Sequence, residues 1–223
     1  MCGKLIVIEG LDGSGKGTQV KLLEQAFLQE GKQVRAISFP DYQDPSSALV
    51  RMYLNGEFGK NAYDTGAYAA SVFYAADRYA SFRRYWQADY EKGVLFLANR
   101  YTQSNIIHQM TKLDRSCWKE YMEWLYDLEF VKMGIPQPDL VLFFDLDASF
   151  SQQLILNRYQ GDENRRDIHE KNQEYLARCR ETGLFAADSL GWTVVHCQEG
   201  GRLLSREKMA CKVRQIIKEK LKI

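Results

Sequence analysis

The stretch Leu5-Ile6-Val7-Ile8-Glu9-Gly10-Leu11-Asp12-Gly13-Ser14-Gly15-Lys16-Gly17-Thr18 decides the fold. Four consecutive apolar residues, with no polar alternation, suit a strand covered on both faces of a parallel sheet. Glycines at 10, 13 and 15 let the backbone that follows curl until successive N–H groups point inward at an anion. A helix predicted from Gly17 to Gln29 adds the positive end of its dipole, and Lys16 adds a point charge. Strand, glycine-rich loop, lysine and helix together make a cradle for nucleotide phosphates. The site therefore comprises Gly10, Leu11, Asp12, Gly13, Ser14, Gly15, Lys16, Gly17 and Thr18.

Outward from this loop, further short apolar runs recur at 34–39, 94–98, 140–144 and 193–195. Helical patterning separates them, including a long stretch predicted from Thr65 to Tyr90 and a last helix from Ser205 to Leu221. Gly31 ends the first helix. The expectation is an α/β fold, a five-stranded parallel sheet with helices on both faces, which places ligands beyond the carboxyl ends of the strands. The 223 residues suit a single domain. One very polar excursion, Tyr159 to Asp167, interrupts it. No apolar run approaches the roughly 18–20 residues of a membrane helix. A net charge of +1 gives no bulk attraction to nucleic acid or membrane. Five scattered cysteines without a CxxC pair argue against structural zinc or a disulfide framework and fit a reducing cytoplasm.

The loop departs from the general phosphate-binding motif, which puts Ser or Thr directly after the lysine as a magnesium ligand. Here Gly17 follows, then Thr18. Gly-Lys-Gly-Thr is similar to the nucleoside monophosphate kinases. A regulatory GTPase is disfavoured. Thr111-Lys112-Leu113-Asp114 matches the guanine clamp in letters, but it follows no clean strand. The candidate switch Asp188-Ser189-Leu190-Gly191 comes in the wrong order.

Across nearly its whole length the chain resembles the thymidylate kinases. The matching pieces are Glu9-Gly10-Leu11-Asp12-Gly13, Phe39-Pro40, Tyr74 to Arg78, Arg100-Tyr101 with Ser104 and Gln109, Pro138-Asp139-Leu140 and Asn164 to Asp167. The resemblance implies transfer of the γ-phosphoryl of ATP to dTMP, with magnesium, in a cytoplasmic homodimer. It implies that Tyr74 stacks on thymine and that Arg78, four residues on and on the same helix face, donates to a thymine carbonyl. Arg100 would clamp the acceptor phosphate. Asn99 stands where the family has Asp. Asp12 would bind the 3′-hydroxyl or help hold magnesium. Ser104, Asn105 and Gln109 match positions that meet the base edge or sugar. His108 falls where bacterial relatives often carry a Tyr that crowds out a 2′-hydroxyl; a surface histidine is the other reading. Phe39 and Pro40 would shape the pocket, and Arg51 would stand in for a phosphate-binding arginine that some relatives carry after Phe-Pro. Because Gly13 follows Asp12, where some relatives place a catalytic arginine, Arg158, Arg165 and Arg166 in a lid at about 157–170 would stabilise the transferring phosphoryl group. The alternatives are a kinase for another nucleoside or deoxynucleoside monophosphate, or a nucleotide-binding regulator without turnover.

Overall fold

The computed structural model describes residues 2–158 and 173–223, without the side chains of residues 148, 152, 155, 157, 158 and 173. The predicted phosphate-loop strand is β1 (Leu5–Gly10), fully buried along its length. Around it lie β2 (Val34–Ser38), β3 (Leu95–Asn99), β4 (Leu140–Asp145) and β5 (Thr193–His196). Their order is β2-β3-β1-β4-β5, and every pairing is parallel. Each of the five expected runs is a strand, displaced by no more than two residues at either end.

Alternation along these strands splits the core in two. Ile6, Ile8, Leu97, Leu142 and Phe144 face α1 (Lys16–Gln29) and α9 (Arg206–Leu221), meeting Val20, Leu23, Phe27, Val213 and Ile217. Leu5, Val7, Phe96, Ala98 and Phe143 face the other way, toward Trp86, Tyr101, Ile106, Trp118 and Tyr121. Helix α1 stops where expected. Gly31, at φ 77°, donates to the Leu28 carbonyl, and Lys32 donates to Phe27, satisfying two carbonyls at the helix end. Ser205 caps α9 by accepting from the Lys208 N–H.

The remaining helices are α2 (Ala48–Leu54), α3 (Ala67–Ser81), α4 (Gln87–Glu91), α5 (Thr102–Gln109), α6 (Trp118–Tyr126), α7 (Ala148–Arg158) and α8 (Gln173–Leu190). The helix expected from Thr65 to Tyr90 is divided. A π-helical turn, Phe82–Trp86, separates α3 from α4 and brings the Phe82 and Trp86 rings edge to face, 4.6 Å apart, in the core. A second π-helical segment, Asp127–Lys132, follows α6. After β5, a hairpin of β6 (Gln198–Glu199) and β7 (Arg202–Leu203) turns on Gly200-Gly201, both at positive φ.

Thr111-Lys112 lies in a 3-10 turn, where Lys112 donates to the Tyr53 hydroxyl and the Thr65 carbonyl; it is no guanine clamp at a strand end. All five cysteines are free thiols. Among the described residues no helix is long and apolar enough to cross a membrane. Of the lid expected at about 157–170, residues 159–170, with Arg165 and Arg166, lie outside the described residues, as does the Arg158 side chain.

Candidate active site

Because all five strands run in parallel, their carboxyl ends share one edge of the sheet, and the site is built there. The phosphate loop leaves β1 at Gly10, whose φ is 144°. A Cβ at Gly10 would lie 2.6 Å from the Phe144 carbonyl, so only glycine lets β1 turn this close to β4. Gly13 and Gly15 also take positive φ. Lys16 opens α1 and donates Nζ to the carbonyls of Gly10 and Leu11, at 2.9 and 2.7 Å. A groove of about 1270 Å³ opens along Asp12, Gly13, Gly15, Lys16, Gly17 and Thr18. Gly10, Leu11 and Ser14 form the body of the loop beneath it. Lys21, Ser38 and Asn99 complete the wall. Asn99 donates to Ser38 Oγ at 2.9 Å, and its own side-chain oxygen is buried without a hydrogen-bond partner.

A second cavity, of about 540 Å³, lies beside the first. Phe39, Pro40, Tyr74, Arg78, Arg100, Ser104, Asn105, His108 and Gln109, named from the sequence as candidates, all line it. Tyr74 packs edge-on to Tyr53, with centroids 6.3 Å apart. Asn105 donates to the Ser71 carbonyl, and Gln109 Oε1 is buried without a partner. Arg78 is 1% exposed. Its Nε and Nη2 each donate to a Glu129 oxygen at 2.6 Å, and Nη1 reaches the Tyr101 carbonyl at 3.4 Å. Burial alone would lower the guanidinium's pKa, but the Glu129 carboxylate outweighs it and holds Arg78 above its usual value. Removing one partner of such a buried pair costs about 3–5 kcal/mol.

One expectation changes, and one open reading closes. Arg51 lines neither cavity; its Nη1 donates to the carbonyls of Tyr42 and Asp44 and to Ser47 Oγ, closing the turn before α2. His108 is no surface histidine. It is 8% exposed, stacks on Tyr175, and sets Nε2 3.0 Å from Arg100 Nη1 and Nδ1 3.5 Å from Cys179 Sγ. The aromatic side chains that follow on α6 are mainly core: Trp118 and Tyr121 are buried, Trp124 and Tyr126 half-buried.

Asp12, Phe39, Pro40, Tyr42 and Arg100 border both cavities. Arg100 follows β3 at a positive φ of 68°, rare for a residue with a side chain. Its Nη2 donates to Asp12 Oδ1 at 2.6 Å and its Nη1 to Ser104 Oγ at 3.0 Å. Burial disfavours the Asp12 charge, but Arg100 and then Lys16 prevail and hold its carboxyl far below the usual aspartate range. Beneath them lies Glu9, fully buried, accepting from the Tyr101 N–H and the Ser104 hydroxyl. Burial raises its pKa, with Arg100 in partial opposition.

Glu129 and Tyr42 are the residues that motif matching passes over. Glu129 carries a signal nonetheless. It continues the buried stripe Trp118, Tyr121, Met122, Leu125 of α6, where the helical period calls for an apolar residue. Arg78 interrupts the buried stripe of α3 in the same way.

A family model described as thymidylate kinase matches residues 8–207. The chain is 31% identical over 204 residues to the thymidylate kinase of Mycobacterium tuberculosis, covering 90% of this chain and 89% of that protein. It is 30% identical over 186 residues to the thymidylate kinase of Schizosaccharomyces pombe, covering 82% and 81%. The solved thymidylate kinase of Candida albicans superposes with a TM-score of 0.68 at 24% identity, over 98% of this chain and 92% of that one, a likeness of fold. With a phosphate loop and an adjoining base-sized cavity in this arrangement, and matches of this extent, the chain belongs to the thymidylate kinase family.

Proposed function

We infer that this chain transfers the γ-phosphoryl group of ATP to dTMP, giving ADP and dTDP. The observation that carries this reading is the shared wall: Arg100 and Asp12 border both the phosphate groove and the base-sized cavity. A phosphate held from the second cavity by Arg100 lies next to one held by the loop. Bidentate donation to a phosphate suits a guanidinium.

In the proposed step an oxygen of the dTMP phosphate attacks the γ-phosphorus in line, and the bond to the β,γ-bridging oxygen breaks. No general base is needed, since the attacking oxygen is already ionised. Lys16 and the loop amides hold the donor phosphates, and Arg100 holds the acceptor. Tyr74 offers a flat ring to the base and Arg78 offers hydrogens to a carbonyl edge. Arg158, Arg165 and Arg166 enter this scheme from the sequence alone.

Magnesium suits the oxygen donors beside the groove, the Asp12 carboxylate and the unpartnered Asn99 side-chain oxygen, which would hold it together with water. When bound, it neutralises phosphate charge. We place the chain in the cytoplasm, as a single domain spanning residues 1–223, and as a homodimer.

The test is ATP consumption against a panel of nucleosides and nucleoside monophosphates. Turnover with dTMP and not with thymidine supports the reading; a panel without turnover defeats it. Lys16→Ala is expected to reduce turnover with dTMP to background in the same assay.

A further inference from the structure

We propose that Glu129 is a positioning residue that makes the second cavity selective for a pyrimidine bearing a 4-oxo rather than a 4-amino group. The proposal rests on the dTMP reading and deepens it.

A guanidinium has five N–H groups. In Arg78, Nε–H and one Nη2–H go to the two oxygens of Glu129, and one Nη1–H goes to the Tyr101 carbonyl. One hydrogen on Nη1 and one on Nη2 remain, neither of them directed to the carboxylate. The residue that carries them lines the cavity beside Tyr74, Asn105 and Gln109. Glu129 thus fixes which edge of Arg78 is left over. An edge of hydrogens alone meets an exocyclic carbonyl oxygen and repels an exocyclic amine.

Glu129 is itself held. It is fully buried, and Thr102, the first residue of α5, donates its hydroxyl to Oε2 at 2.9 Å. Oε2 is therefore held by Thr102 as well as by Arg78, and the fork cannot swing without breaking its two short bonds to the carboxylate.

A role in folding alone explains this poorly. A buried ion pair stabilises a core no better than apolar residues of the same volume, because both charges must be stripped of water. The two charges stand at inward-facing positions on α3 and on the π-helical segment after α6, and Arg78 is at the wall of a cavity. Glu129 lines neither of the two cavities and acts through Arg78.

The experiment measures dTMP and dCMP dissociation constants by titration calorimetry, with kcat and the KM for ATP, in wild type and Glu129→Gln. Melting curves check the fold separately. Loss of a charged anchor is expected to weaken dTMP by about tenfold or more. dCMP affinity, kcat at saturating dTMP and the ATP KM should change by no more than about twofold, so that discrimination between the two bases collapses. The proposal is overturned if folded Glu129→Gln keeps its dTMP constant within about twofold of wild type, or if dTMP and dCMP weaken equally, as a purely structural defect would make them. Should Glu129→Gln fail to fold, Glu129→Asp carries the test. It keeps the charge but is too short to reach both nitrogens; preference for dTMP should narrow, and an unchanged preference overturns the proposal. A wild-type protein that turns over no monophosphate defeats the dTMP reading, whereas an active Glu129→Gln enzyme with unchanged constants defeats only the assignment to Glu129.

Discussion

At the scale of single residues, an acid in a phosphate-binding loop is a contradiction that Arg100 resolves. Asp12 faces the donor groove, where it would repel nucleotide phosphates, yet its carboxylate is bonded to the arginine proposed for the acceptor. Its pKa is held far below the usual aspartate range by Arg100 and Lys16. A depressed carboxyl contributes stability that is fully present above its unfolded pKa of about 3.9 and is lost as pH falls through the folded value. Asp12→Asn is therefore expected to melt below wild type at neutral pH, with the two curves converging only as pH drops below the ordinary aspartate range. A melting difference that vanished between pH 5 and 6 would contradict this. The grouping of Asp12, Arg100, Tyr74 and Arg78 around one site was legible from the resemblance to the thymidylate kinases, not from helix spacing alone. Arg51 misled because sequence shows that an arginine lies near, not that three acceptors in the turn before α2 take its Nη1. Glu129 lies 51 positions from Arg78, and only the stripe it interrupts points to it.

Among elements, the strands were the easiest to read, since a run such as Leu140–Asp145, buried on both faces, needs no partner to identify it. The π-helical turns were not legible. Phe82–Trp86 departs from the α period because Trp86 packs against Phe82, Phe96 and Tyr101, and those ring contacts exist only in the folded chain. Close packing between elements is equally silent in the sequence. At Gly183, on α8, an added Cβ would lie 2.5 Å from the Phe143 ring on β4. The ring is rigid and enclosed, so the helix must lift. Gly183→Ala is expected to destabilise the protein by about 1–3 kcal/mol. Thermal melting checks this, and kcat at 25 °C should fall less than stability does because Gly183 lines neither cavity. Unchanged melting would mean that α8 does not ride on β4 as closely as described.

Over the whole molecule, α3 is the element that joins the site to the surface. Its inner face carries Arg78 and its outer face an apolar stripe, Tyr68, Val72 and Tyr79, exposed by 39%, 47% and 39%. Tyr68 also packs edge-on to Trp124 of α6, 4.6 Å between centroids, so the stripe continues onto a second helix. An apolar stripe of this kind on one face of a helix marks a contact surface, and the proposed homodimer would cover it. Arginine at position 72 would place a charge in the middle of that contact, where two copies related by symmetry would bring like charges together. Light scattering is expected to give twice the mass of one chain for wild type and the mass of one chain for Val72→Arg. Since the opposite face of the same helix holds Tyr74 and Arg78, the monomeric variant should also bind dTMP more weakly while its KM for ATP holds. Wild type at the mass of a single chain would sink the homodimer, while the catalytic proposal would still stand or fall on the ATP-consumption assay.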